Sequence, residues 1–216
     1  MSYVPKTTNY PPMPCPEIDE QLKDAEERKP LKNIYLIIGP SGSGKTTIAN
    51  ELRDVYGLKT VESYTTRPPR YPGERGHIFV SDEEFNQLGE MVAYTEYNGY
   101  RYGVTAEIID QNDIYVIDPP GVEHMRNHYH GDKGVVTIGL DVSETIRALR
   151  MMNRGDSLQD ILKRIEVDAQ WFDNKEVKII YDIRCAELEL NKAVDYIKKY
   201  IDVRESLDWK GWLPNG

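Results

Sequence analysis

The segment GPSGSGKT, Gly39 to Thr46, constrains this chain more than any other. It fits the spacing GxxxxGK[ST]. Before it stands IYLII, Ile34 to Ile38, a continuous apolar run of the kind buried on both faces of a parallel sheet. After it comes KTTIANELRDVYG, in which Ile48, Leu52 and Val55 recur at helical spacing and Gly57 stands where a helix end favours a left-handed residue. Strand, glycine loop and helix in that order are the context that makes the motif a phosphate-binding loop. Its glycines let backbone N–H groups turn inward around phosphate oxygens, and the helix start adds unpaired donors and the positive end of its dipole. Gly39, Pro40, Ser41, Gly42, Ser43, Gly44, Lys45, Thr46 and Thr47 are therefore the expected ATP site. Lys45 is placed to bridge the β- and γ-phosphates and the Thr46 hydroxyl to coordinate magnesium, so ATP and Mg2+ are the expected cofactors.

The remainder of the chain continues an α/β alternation. Apolar runs at Ile114 to Ile117, Val135 to Leu140 and Val177 to Tyr181 predict further strands, and helical patterns cover Glu144 to Asn153, Leu158 to Trp171 and Glu187 to Ile201. The expected fold is a P-loop kinase type of parallel sheet covered by helices. Ser63 to Val104 breaks the rhythm, being rich in aromatic residues, Gly, Pro and Thr, with an acidic helical piece at Asp82 to Leu88. It is expected to be an inserted subdomain. Residues 1 to 16 carry five prolines and read as an extended arm, followed by a charged helix from Ile18 to Lys29 that Pro30 stops. The division expected is an extension over 1–30, a main domain over 31–203 with the insertion at about 63–104, and a tail over 204–216.

Charge and cysteine usage exclude several classes. Lys and Arg total 27 against 36 Asp and Glu, a net charge of -9, which opposes a nucleic-acid backbone. Two distant cysteines give neither a disulfide framework nor a zinc pattern. No apolar run is long enough to span a bilayer, and no targeting pattern starts the chain, so a soluble cytoplasmic protein, monomer or homodimer, is expected. Its partners are expected to be small nucleotides.

Within this acidic chain SYTTRPPRYPGERG, Ser63 to Gly76, gathers Arg67, Arg70 and Arg75 in one stiff loop, an arrangement suited to gripping one phosphate. GPSGSGKTT, the TTRPPR loop, FVSDEEF at Phe79 to Phe85, NGYRYG at Asn98 to Gly103 and RMMNRGDS at Arg150 to Ser157 follow one another in an order that resembles the guanylate kinase family of nucleoside monophosphate kinases. The resemblance covers about residues 33 to 202. It implies that Arg67, Arg70 and Tyr102 hold the acceptor phosphate, that Ser63 reaches the base, and that Glu74 is a carboxylate of the acceptor loop. It also places Asp118 near the phosphates and magnesium, and His77 where a phosphate-binding tyrosine stands. Arg150 and Arg154 match arginines of a mobile lid over about 150–164, and Arg164 a third that closes on the transferring phosphoryl. With Lys45 these are the expected catalytic residues, which act through charge and positioning rather than as a general base.

Three positions depart from the family. Ala93 stands where a glutamate reads guanine, Val104 where Ser or Thr does, and Val116 where an aspartate is usual. The implied reaction is ATP-dependent phosphorylation of a nucleoside monophosphate, nominally GMP or dGMP. The alternatives are another phosphorylated acceptor, such as a different dNMP or ribose 1,5-bisphosphate, and a non-catalytic module that binds phosphopeptide.

Overall fold

The structure, a computed structural model, describes residues 31–69, 71–97, 99–172, 182–186 and 189–207. The proline-rich arm, the charged helix, Arg70, the strand expected at Val177 to Tyr181 and the tryptophan-containing tail lie outside them. A strand lies just beyond that apolar run, at Ile183–Ala186 (β8).

The central sheet is parallel throughout, in the order β6-β1-β7-β8, with β1 Asn33–Ile38, β6 Ile114–Val116 and β7 Gly134–Asp141. Ile34 to Ile38 are all fully buried because β1 has a neighbour on each edge and a layer on each face. Alternate residues serve the two layers. Tyr35 and Ile37 pack with α1 (Lys45–Tyr56) and with the last helix, α7 (Leu190–Ser206), through Ile48, Ala49, Leu52, Val194 and Ile197. Ile34, Leu36 and Ile38 pack on the other side against Val92, Ala93, Val104, Ile109 and Met125. Val55, the third member of the helical spacing in α1, is 53% exposed, and Ala49 fills the buried face instead. Gly57 caps this helix in the left-handed conformation, φ 64°.

The Ser63 to Thr105 region builds a second sheet, β3-β2-β5-β4, from β2 Ser63–Thr65, β3 His77–Phe79, β4 Met91–Tyr97 and β5 Tyr100–Thr105. Between β3 and β4 runs α2, Asp82–Gln87, started by a reciprocal cap in which Ser81 Oγ accepts from Glu84 N and Glu84 Oε2 accepts from Ser81 N. Two short helices absent from the sequence expectation follow, α3 Ala106–Gln111 and α4 Pro119–His128. The proline pair Pro119 and Pro120 is tolerated because the first helical positions have no intrahelical use for an N–H. The pair α5, Glu144–Arg154, and α6, Leu158–Phe172, completes the fold.

One carboxylate ties α7 to the start of β1. Glu205 accepts from Lys32 N at 2.8 Å, Asn33 Nδ2 at 2.7 Å and Tyr35 Oη at 2.7 Å. The Tyr35 ring is fully buried, so removing its acceptor leaves a desolvated hydroxyl without a partner. Glu205→Ala is expected to lower the unfolding free energy by about 1–3 kcal/mol, read from urea denaturation monitored by circular dichroism.

Candidate active site

The phosphate loop spans the gap between β1 and α1. Gly42 and Gly44 adopt φ of 77° and 101°, the left-handed region that side chains resist. At Gly42 there is a second reason. A Cβ there would lie 2.7 Å from the Arg147 carbonyl oxygen, so α5 presses its backbone on the loop. Lys45 Nζ donates to the carbonyls of Gly39 at 2.6 Å and Pro40 at 3.1 Å. Desolvation pulls the ammonium down to about 8, opposed mainly by the charge of Asp168 and less by Asp118.

Arg150, Arg154 and Arg164 all line the space in front of Lys45, Thr46 and Thr47. Arg150 Nη1 donates to the loop carbonyls of Ser43 at 3.1 Å and Gly42 at 3.4 Å. Asp156, between α5 and α6, collects the other two: Arg154 reaches it through Nε at 2.9 Å and Nη2 at 2.5 Å, and Arg164 lies 3.9 Å away. Four cationic side chains thus converge on one strip of surface, which is how a site for a polyphosphate is built. A neighbouring cavity, lined by Ser43, Thr47, Ile48, Arg150, Cys185 and Ala193, extends this strip over apolar surface.

On the other side of Lys45 opens a cleft of about 360 Å³ between the second sheet, the start of α4 and the face of α6. Of the acceptor residues expected from sequence, Ser63, His77, Tyr102 and Asp118 line it. Ser63 Oγ lies 2.9 Å from His77 Nδ1, and the His77 ring meets Tyr102 edge-on at 5.6 Å. Asp118 caps α4, accepting from Gly121 N at 2.8 Å. Burial pushes its carboxyl up, while the Gly121 N–H, the Thr95 hydroxyl and the Lys45 charge pull it down.

Arg67 and Glu74 do not enter the cleft. They form a buried bidentate pair, Nη2 to Oε1 at 2.8 Å and Nη1 to Oε2 at 3.2 Å, with Phe79 beneath the guanidinium. A buried arginine without a carboxylate partner would be costly, and Glu74 is the one within reach of its fork. The Arg67 charge nevertheless acts on the Tyr102 hydroxyl, so it stands one residue behind the cleft wall.

Ala93 and Val104 are direct partners across β4 and β5 and are buried in the core between the sheets. Ala93 shares a strand face with Thr95 and Tyr97, and Val104 with Tyr102, all three of which line the cleft, so the two apolar residues continue its wall inward. Val116 lines the cleft itself. Sequence reasoning missed Thr95, Tyr115, Asp168, Trp171 and Phe172. The signal for the last three was the period of α6: Arg164, Val167, Asp168, Trp171 and Phe172 recur at three- and four-residue spacing and form one face.

The family model described as guanylate kinase matches residues 31–204. The chain belongs to the guanylate kinase family. Guanylate kinase of Geobacter metallireducens is 29% identical over 180 residues, covering 78% of this chain and 87% of that one. The Neisseria gonorrhoeae guanylate kinase is 31% identical over 173 residues, 74% and 82% of the two chains. A crystal structure of guanylate kinase from Anaplasma phagocytophilum superposes with a TM-score of 0.53 over 83% of this chain and 89% of that one at 24% identity, a likeness of fold. As a member of the guanylate kinase family the chain is a kinase.

Magnesium fits the residues present. No group of three or more His, Cys, Asp or Glu among the described residues could cage a metal. A hard cation that keeps its waters and takes most other ligands from phosphate needs no such cage. Thr46, exposed at the first turn of α1 beside Lys45, offers the single hydroxyl that arrangement uses, and the Asp118 carboxylate stands across Lys45.

Gly42→Ala is expected to weaken ATP binding at least about tenfold, since the left-handed backbone alone costs a side chain about 1–2 kcal/mol before the clash with Arg147 is added. Isothermal calorimetry with ATP and magnesium measures it.

Proposed function

We propose that this member of the guanylate kinase family transfers the γ-phosphoryl of ATP to a nucleoside monophosphate, with the polyphosphate on the loop and the acceptor in the 360 Å³ cleft. The observation that carries the reading is the position of Lys45, which lines both spaces and so stands where donor and acceptor phosphates meet. Lys45, Arg150, Arg154 and Arg164 neutralise charge that spreads over the phosphoryl oxygens, and the loop N–H groups orient the donor. Thr46, with Asp118 across Lys45 from it, would hold magnesium, which would supply charge neutralisation to the donor phosphates. His77, Tyr102 and Ser63 receive the acceptor phosphate and sugar end, supported by the Arg67 charge behind Tyr102. Closure of the lid segment, about residues 150–164, over the cleft excludes water from the phosphoryl group.

The acceptor range is proposed to be wider than GMP and dGMP. Reading guanine strongly requires a buried partner for its N–H donors, and the inner wall offers Ala93, Val104 and Val116 instead. Of the hydroxyls that line the cleft, Ser63 already pairs with His77 at 2.9 Å. Trp171 and Phe172 add an aromatic wall that suits any base. Sites that discriminate by apolar fit separate related substrates by about 10–200-fold, against 10⁴–10⁵ where a buried polar group is left unpaired.

ADP release with ATP, magnesium and each of GMP, dGMP, AMP, CMP, UMP, dTMP and ribose 1,5-bisphosphate tests this directly. Turnover with several nucleotides within about 200-fold in kcat/KM is expected. Turnover with GMP and dGMP alone would mean that other groups read guanine, and turnover confined to the sugar bisphosphate would reassign the acceptor. Silence on all of them in the wild-type chain would overturn catalysis altogether. Lys45→Ala should cost at least about 10²-fold in kcat, in line with the loss of one transition-state contact. Trp171→Ala should raise the acceptor KM about tenfold while leaving the KM for ATP within twofold, a stacked aromatic wall being worth about 1–3 kcal/mol per base.

A further inference from the structure

The donor side and the acceptor side of the site meet at a carboxylate that neither role uses. Asp168 Oδ2 accepts the main-chain N–H of Ser41 at 2.7 Å, and its Oδ1 lies 3.4 Å from the Ser41 hydroxyl. Arg147 of α5 closes a triangle. Its Nη1 stands 3.4 Å from both Asp168 Oδ2 and the Ser41 carbonyl, and its Nε donates to Val142 O at 3.2 Å. The two side chains are only 7% and 15% exposed. A pair so shielded gains little net stability from its own attraction, because desolvating the charges offsets it. The bond to the Ser41 N–H is the charge-assisted one, about twice as strong as its neutral equivalent, and it is spent on the loop.

The next residue of the loop is gripped too, since Gly42 touches the Arg147 backbone closely enough to exclude a Cβ. One limb of the phosphate loop is therefore held by α5 and α6 at once. Asp168 belongs to the same face of α6 that carries Arg164 toward the phosphates and Trp171 and Phe172 toward the acceptor.

We infer that Asp168 is a positioning residue that fixes the Ser41 limb of the phosphate loop to α6, with Arg147 as its brace, so that the acceptor wall and the ATP loop move as one body. Each substrate then binds more tightly in the presence of the other, since both select the same placement of α6. The inference rests on the phosphoryl-transfer reading above.

The test uses the full-length chain, with Asp168→Asn, Asp168→Glu and Arg147→Lys, assayed with ATP, magnesium and the best acceptor of the panel. In Asp168→Asn, kcat is expected to fall about 10–100-fold, the cost of a slight misplacement of reacting groups, with the acceptor KM within threefold. The gain in affinity for a non-hydrolysable ATP analogue that saturating acceptor produces in the wild type should shrink to less than half. Asp168→Glu should recover part of kcat because it keeps the charge. Wild-type kcat with intact synergy in Asp168→Asn overturns the inference, as does a loss that tracks only a lowered Tm and affects both KM values equally. Should Asp168→Asn fail to fold, Arg147→Lys decides by the same loss or retention of synergy. Should the wild type turn over no acceptor, phosphoryl transfer fails as a reading, and affinity for ATP with magnesium decides the inference alone: at least fivefold weaker in Asp168→Asn supports it, unchanged affinity sinks it.

Discussion

The arrangement of this protein depends on keeping one ammonium charged where water is scarce. Lys45 sits at the first turn of α1 under carbonyls of its own loop, and the desolvation that draws it down to about 8 is opposed chiefly by Asp168. That balance requires a loop folded tightly enough to turn Gly39 and Pro40 back on the lysine. The loop in turn requires left-handed glycines and a buried strand that cannot shift. β1 supplies the strand, buried from Ile34 to Ile38, and Glu205 fastens its beginning to α7. The constraint thus reaches from the Lys45 charge to the far end of α7.

The second consequence is a cleft whose polar and apolar parts are segregated. Lys45, Asp118, Arg164 and Asp168 line it beside the phosphate loop, Glu96 lines it from the exposed end of β4, and its interior wall merges with the hydrophobic core through Ala93 and Val104. A core position is a poor place for a carboxylate that has no partner. Small apolar residues there let the second sheet pack on β1, α3 and α4. On the proposed function, stability and specificity rest on the same side chains in this wall.

Much of the site was legible because its chemistry is contiguous or locally spaced. Nine loop residues follow one another, and Arg150 and Arg154 fall one helical turn apart. Ser63, His77, Tyr102 and Asp118 were legible through the order of motifs, although 55 residues of sequence separate the first from the last. What could not be read was how charges pair. Arg67 was expected to hold the acceptor phosphate and Glu74 to be a carboxylate of the acceptor loop, yet in the folded chain they satisfy one another above Phe79. Asp168 and Trp171 looked like members of an ordinary amphipathic helix, because a periodic face does not announce whether it meets a core, solvent or a substrate. Val55 shows the converse, an apolar residue in good register that lies in water.

By itself the sequence determined the α/β class, the phosphate loop with its strand and helix, and the family, since each of these follows from residue types at fixed local spacing, where backbone geometry alone sets the outcome. Only the tertiary structure decided which of the described arginines faces the cleft, that α6 rather than α5 walls that cleft, that Asp168 grips Ser41, and that Ala93 and Val104 belong to the core. Those results depend on distances between elements far apart in the chain. Such distances are fixed by how helices and sheets pack around a shared interior, a competition for burial and hydrogen-bond partners that no local spacing encodes.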